Sequence, residues 1–252
     1  MNTLPNGSFH GEKALSPNGE LALDIIPEAE ITRKGVSVRY VRSSDSDWFV
    51  LRASYGREVK ARDLLIEMGI YAHVAQKYEM KELRGKRKKV LISLLPNLVF
   101  AYLPRKEAGF YVKGPSPSFI DKEKTKDADT RMSETCLTKV IELSSLVSFY
   151  YNHFEKDEHD AEKNPPLTIK ESEMVSFIRA TSTKSTHLKN VDLEKCRFLD
   201  NQMVEVIKGN YIGVKGRIAR VAGQQCIVVS LANGQWNIST DYIPTPFIRV
   251  LG

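Results

Sequence analysis

Leu94-Leu95-Pro96-Asn97-Leu98-Val99-Phe100-Ala101-Tyr102 is the longest apolar passage in the chain, and its reading decides the fold. It follows the most basic passage, Arg84-Gly85-Lys86-Arg87-Lys88-Lys89. Pro96 has no amide hydrogen to give to a ladder, which places it at a strand entrance. From Asn97 onward, Leu98, Phe100 and Tyr102 share one face of an extended chain, and Val99, Ala101 and Leu103 share the other. Both faces are apolar, so each needs a cover.

Moving outward, Trp48 to Ala53 has the β-branched and aromatic composition of a first strand, ended by Gly56. Ala61, Leu64, Leu65 and Met68 then recur at the spacing of one helix face, with Gly69 as a left-handed stop. His73 to Leu83 reads as extended, and Arg84-Gly85-Lys86 as the tip of a hairpin whose return leg runs into Val90–Leu103. Strand, helix, strand, hairpin and strand together predict an α+β domain with an antiparallel sheet.

Further along, Arg105–Lys113 reads as a short helix, 121–131 as a charged loop and Cys136–Val147 as a helix. Val147–Tyr151 suits a strand, and Glu155–Lys163 a loop. Thr168-Ile169-Lys170-Glu171 fits a capping box opening a helix over about 170–181. Thr181 to Thr186 has the composition of an interdomain linker. After Asn201 only short strands remain: Met203–Val206, Val214–Val221, Cys226–Leu231, Trp236–Thr240 and Phe247–Leu251. Turn residues separate them, which predicts a small closed barrel. The division expected is an N-terminal extension (1–46), an α+β domain (47–181), a linker (182–200) and an all-β domain (201–252). Within the extension, Val36–Val41 alternates like an isolated strand.

Composition bounds the function classes. The 252 residues are 42% hydrophobic and 27% charged, with a formal net charge of +6 and a pI near 9.1. A mild basic excess fits a nucleic-acid partner without demanding one. Three scattered cysteines, Cys136, Cys196 and Cys226, include no C-x-x-C pair and point away from a disulfide framework or a zinc site. The sequence carries no apolar leader and no span-length apolar run, from which a cytoplasmic protein without a membrane partner is expected. No Gly-rich phosphate loop, metal-ligand cluster or nucleophile motif is present, so neither an enzyme nor a cofactor is expected.

Several motifs in order resemble one family. Trp48-Phe49-Val50-Leu51-Arg52-Ala53, the helix ending at Gly69, the basic hairpin and Leu94–Phe100 resemble the NusG N-terminal domain. Pro166-Leu167-Thr168 and its helix resemble that domain's final helix. Val206-Ile207-Lys208-Gly209 and Gly213-Val214-Lys215-Gly216-Arg217-Ile218 resemble a KOW motif, an SH3-like barrel. Tyr150–Phe154, Asn164–Thr168 and Arg220–Gln225 are most similar to the UpxY-type antiterminators of capsular polysaccharide operons, which are RfaH-like paralogues.

The resemblance implies a transcription antitermination or elongation factor, monomeric, that docks on the clamp helices of RNA polymerase's largest subunit and reaches the opposite lobe. It assigns Arg52, Leu95, Pro96, Leu98 and Phe100 to the clamp, and for the apolar four ordinary sheet core is the competing reading. It assigns Arg84, Lys86, Arg87, Lys88 and Lys89 to nucleic-acid backbone, against a solvated hairpin tip. Tyr55 and Arg57 sit where such paralogues meet non-template DNA. Here Ser54-Tyr55 replaces a basic pair, so stacking by Tyr55 is the contact left. Gly209, Gly216 and Arg217 mark the KOW motif, and Lys215, Arg217 and Arg220 are either exposed strand charges or contacts to nascent RNA or protein. Ribosomal protein S10 or Rho are the partners such a module recruits. The β-branched, glycine-punctuated tail predicts a stable barrel with no helical alternative. A general NusG-like factor and a KOW-type RNA- or ribosome-binding protein are the rival classes.

Overall fold

The computed structural model describes residues 26–120, 133–156 and 164–251. The charged loop read at 121–131, residues 157–163 of the loop read at 155–163 and the first 25 residues lie outside the described residues. The chain combines helices with antiparallel sheets, and its C-terminal region is all β.

The first sheet is built on β1 (Ser46–Ala53), with β2 (Ala72–His73), β5 (Leu98–Pro104), β6 (Val147–Phe149) and β7 (Thr168–Ile169) around it. Its order is β2-β5-β1-β6, with β7 also pairing with β1. In the β1–β5 register Arg52 lies opposite Leu98, Val50 opposite Phe100 and Trp48 opposite Tyr102. Directly opposed residues project to one side, so these six form one face. Phe49, Leu51 and Ala53 form the other with Val99, Ala101 and Leu103. The alternation expected of the Leu94–Tyr102 passage is present.

Both faces are covered, by different parts of the chain. One carries a layer of three helices: α1 (Glu58–Glu67), α2 (Ala108–Lys113) and α3 (Glu134–Leu146). They pack on one another and on β1, β5 and β6. The second face is covered in three pieces. α4 (Glu171–Ser182) sets Phe177 edge-on to Phe100 at 5.2 Å. The all-β region adds Trp236, 6.3 Å from the Phe100 ring. Residues 26–45 supply Tyr40, stacked on Trp48 at 5.7 Å and also against Tyr71 and Tyr102. Burying each large ring contributes about 2–3 kcal/mol.

Residues 26–45, read from the sequence as part of an extension, thus form a strap over the sheet. Val36–Val41 does not form a strand; its alternation places Tyr40 and Val38 against the core. Glu30 reaches Arg62 of α1 at 2.6 Å and Lys184 at 2.7 Å. Arg62 is buried by these contacts and by Gln76.

The capping box at Thr168 does not form. Thr168 is drawn into β7 opposite Phe49, the residue before α4 is Lys170, and its side chain makes no capping bond. The Glu171 carboxylate accepts instead from the Tyr40 hydroxyl (2.6 Å) and pairs with Arg42 (2.8 Å). A long-range partner outcompetes the local one.

The C-terminal sheet follows the order β13-β9-β10-β11-β12-β8. Its members are β8 (Lys189–Asn190), β9 (Arg197–Val206), β10 (Lys215–Val221), β11 (Gln224–Leu231), β12 (Trp236–Ser239) and β13 (Ile248–Val250). The five strands expected from turn spacing are all there, but their pairing is an open path rather than a closed ring. β8, drawn from the expected linker, takes the free edge of β12. β9 begins at Arg197, and Leu188 is fully buried, so 182–200 is folded structure rather than a spacer. One apolar cluster runs from Ile26 through both sheets to Ile243.

Candidate functional site

The exposed candidates converge at one end of the first sheet, where β1 ends and β5 begins. β1 runs out at Ala53 into Ser54-Tyr55-Gly56, and the neighbouring strand enters through Pro96-Asn97. Asn97 joins the two. Its backbone oxygen accepts from the Ala53 amide at 2.8 Å, and its side-chain oxygen accepts from Gly56 at 2.9 Å. Asn97 holds a φ of +64, a left-handed conformation that its short polar side chain tolerates.

Tyr55 also has positive φ, at +54, and is 91% exposed. A bulky residue in that region costs about 1–2 kcal/mol, held here by the Asn97 bonds and by Ser54, whose amide reaches Leu146 at 2.8 Å. The ring is presented outward with the Arg57 guanidinium 5.7 Å from its centroid. Arg52, Arg57 and Pro96 are exposed beside it.

The basic hairpin springs from the same end. β3 (Gln76–Leu83) and β4 (Lys86–Ser93) pair residue for residue from Gln76↔Ser93 to Leu83↔Lys86. The two-residue turn has φ of +53 at Arg84 and +71 at Gly85, the left-handed pair that matches strand twist in a tight hairpin. Eight-residue arms reach about 25 Å. The root is tied down where Ser93 donates to Glu58, the residue after Arg57. Arg84, Lys86, Arg87, Lys88 and Lys89 are all exposed. Lys81 stands opposite Lys88 without an acid between them, and Lys89 lies 4.2 Å from the centroid of Tyr78. The result is a dense positive arm with an aromatic in its lower half.

Three clamp candidates are not at the surface. Leu95 is 3% exposed, Leu98 7% and Phe100 0%. For these, sheet core is what the structure presents. Phe100 lies beneath Phe177 and Trp236. The reason is the register: Leu98 and Phe100 point to the face that α4, the strap and the all-β region share. Of the five, Arg52 and Pro96 remain available to a partner.

In the C-terminal sheet Gly216 is required by space. A Cβ there would sit 2.5 Å from the Val228 carbonyl oxygen and 2.6 Å from an Ile227 methyl. Gly209 holds φ +86 against the Phe247 ring. Arg217 is half-buried, with its guanidinium 4.3 Å from the Phe198 ring centroid, so its charge is partly engaged within the domain. Lys215 is half-buried and Arg220 exposed.

Asn97, Tyr40 and Trp236 carry the arrangement without having been singled out in the sequence. An Asn following Pro at a strand entrance is a turn signal that points to the first. The other two act across long sequence separations and leave no local trace. Among the described residues no group of three or more His, Cys, Asp or Glu could hold a metal ion, and no helix is long and apolar enough to cross a membrane.

No protein-family model matches the chain, and no curated protein matches it significantly.

Proposed function

We propose that the protein is an RNA polymerase-binding antitermination factor that keeps transcription of a particular operon processive, one for capsular or surface polysaccharide synthesis. The observation that carries this reading is the convergence of Arg52, Tyr55, Arg57 and Pro96 with a long basic hairpin at one sheet end. A polar rim with aromatic and arginine anchors suits protein docking, and an exposed aromatic beside cations suits unpaired bases. The resemblance to NusG-type domains orders the parts: an α+β domain meeting the clamp, then a KOW-like, SH3-like module. The order β13-β9-β10-β11-β12, with Gly216 in a close approach, supports that second assignment.

In this reading the factor makes and breaks no bond. It binds the elongating conformation of the polymerase more tightly than the paused one, and that difference is its entire effect. The hairpin adds sequence-neutral, salt-sensitive attraction to nucleic acid. Docking through Leu98 and Phe100 as well as the rim requires the all-β region to leave the Phe100 ring.

The test is retention of purified RNA polymerase by the full chain, compared with Arg52→Glu and Pro96→Asp. Both positions are exposed, so neither substitution threatens the fold. Loss of retention by both supports the reading; undiminished retention by both folded variants overturns it. Read-through on the operon's own leader but not on an unrelated template distinguishes an operon-specific factor from a general one.

A further inference from the structure

The strap, α4 and the turn before β10 enclose a cleft of about 1050 Å³, at the upper end of small-molecule sites. Its lining is strongly cationic. Arg39 and Arg42 come from the strap, Arg179 from α4, and Lys215 from the all-β region, against only Glu28 and Glu171. Glu171 is already engaged by Arg42 and the Tyr40 hydroxyl, and Arg179 donates to the Gly213 carbonyl at 3.1 Å. Arg39, from the strap, and Lys215, from the all-β region, have no ion pair among the described residues. Pro27 and Tyr40 of the strap and Val175 of α4 supply the apolar part of the lining.

We propose that this cleft binds a nucleotide-sized ligand, its phosphates between Arg39 and Lys215 and its base along the Pro27–Val175 side. Phosphate oxygens meeting arginine and lysine form charge-assisted hydrogen bonds, and the apolar stretch fits a flat ring. The walls belong to three separate parts of the chain, so such a ligand binds only while they are together. It therefore favours the arrangement in which the all-β region sits on α4. The proposal does not depend on the polymerase reading, and its test contains no polymerase.

The test is isothermal titration of the full chain with ATP and with GTP, alongside inorganic pyrophosphate and a mixed-sequence single-stranded RNA. Saturable one-to-one binding of a triphosphate is expected, weakened about tenfold or more by Arg39→Glu and separately by Lys215→Glu, a loss within reach of one charge-assisted contact. Arg39 is exposed, so its variant remains informative if Lys215→Glu perturbs β10. Absence of heat with both triphosphates overturns the assignment, as does unchanged affinity in Arg39→Glu. Pyrophosphate binding as tightly as the triphosphates removes the base from the site. RNA binding without mononucleotide binding replaces a small ligand with a polymer.

Discussion

The ring of Phe100 in β5 meets the indole of Trp236 in β12 edge-on, with centroids 6.3 Å apart and planes at 83°. Trp236 also stands 5.2 Å from Tyr150, whose hydroxyl accepts from Gln235 at 2.7 Å. This contact joins the two sheets, and bonds from the Lys215 amide to Ser176 and from the Ala232 amide to Glu173 tie the all-β region to α4. Trp236→Ala is expected to cost about 2–3 kcal/mol in chemical unfolding and to speed hydrogen exchange around Phe100. Under the proposed function it also raises polymerase retention. Unchanged retention with the fold intact would show that the covered face is no part of the docking surface.

Leu98→Asp and Pro96→Asp should separate core from rim. The first buries a carboxylate beside Arg52 at a 7% exposed position and is expected to cost at least about 3 kcal/mol, visible as a lowered melting temperature. The second changes an exposed residue and leaves melting within about 0.5 kcal/mol of the starting stability. Equal melting of the two variants would contradict the burial of Leu98.

For the hairpin, Arg87→Glu with Lys88→Glu should leave the circular dichroism spectrum and melting unchanged, because both side chains are exposed. Binding to single-stranded nucleic acid should weaken, and the slope of log K against log salt should become shallower by about one for each phosphate no longer neutralised. A slope that does not change would leave the arm as a solvated tip.

Gly216→Ala places a methyl 2.5 Å from the Val228 oxygen. The backbone must give way, at about 1–3 kcal/mol, and the loss should concentrate in the exchange rates of β10 and β11. Gly85→Ala meets no neighbour within 4 Å but must hold φ +71, so its cost is conformational, about 1 kcal/mol.

Stability should also depend on His73. Its Nε2 lies 2.7 Å from Thr181 Oγ1, whose hydroxyl donates to the Phe177 carbonyl, so the imidazole is the donor in that contact, and its burial favours the neutral ring. Burial lowers its pKa to about 4 from the usual 6.5; Glu30 opposes the shift, while Arg62 and Lys184 add to it. The unfolded chain takes up a proton below pH 6.5 and the folded one only near 4, so stability falls as pH drops through that window. The loss is about 3 kcal/mol. His73→Gln should flatten this part of the profile in denaturant titrations at several pH values; an unaltered profile would assign the acid sensitivity to the carboxylates.

The parts legible in the sequence are those governed by local pattern. Ala61, Leu64 and Leu65 place α1, Arg84-Gly85 places the hairpin turn, and the glycine-punctuated tail places β9 to β13. What escaped was set by distant partners. Thr168 has the chemistry of a cap, but Phe49 across the sheet captures it as strand. Tyr40 sits in an alternating segment that looks like a weak strand until Trp48, Tyr71 and Tyr102 supply its pocket. Alternation placed Leu98 and Phe100 on one face without naming the cover, and whether that face was open depended on α4 and Trp236. Periodicity assigns sides; only tertiary packing assigns exposure.

The two hydrogen bonds that Asn97 accepts, from the Ala53 and Gly56 amides, have a mechanical consequence. Pro96 precedes the residue that anchors the Tyr55 turn, so the two exposed groups share one anchor rather than standing on independent loops. A partner that displaces Pro96 is therefore expected to disturb the Tyr55 turn as well. Asn97→Gly, which keeps the left-handed backbone and its bond from Ala53 but removes the side-chain oxygen that holds Gly56, is expected to loosen the Tyr55 turn while leaving Pro96 in place.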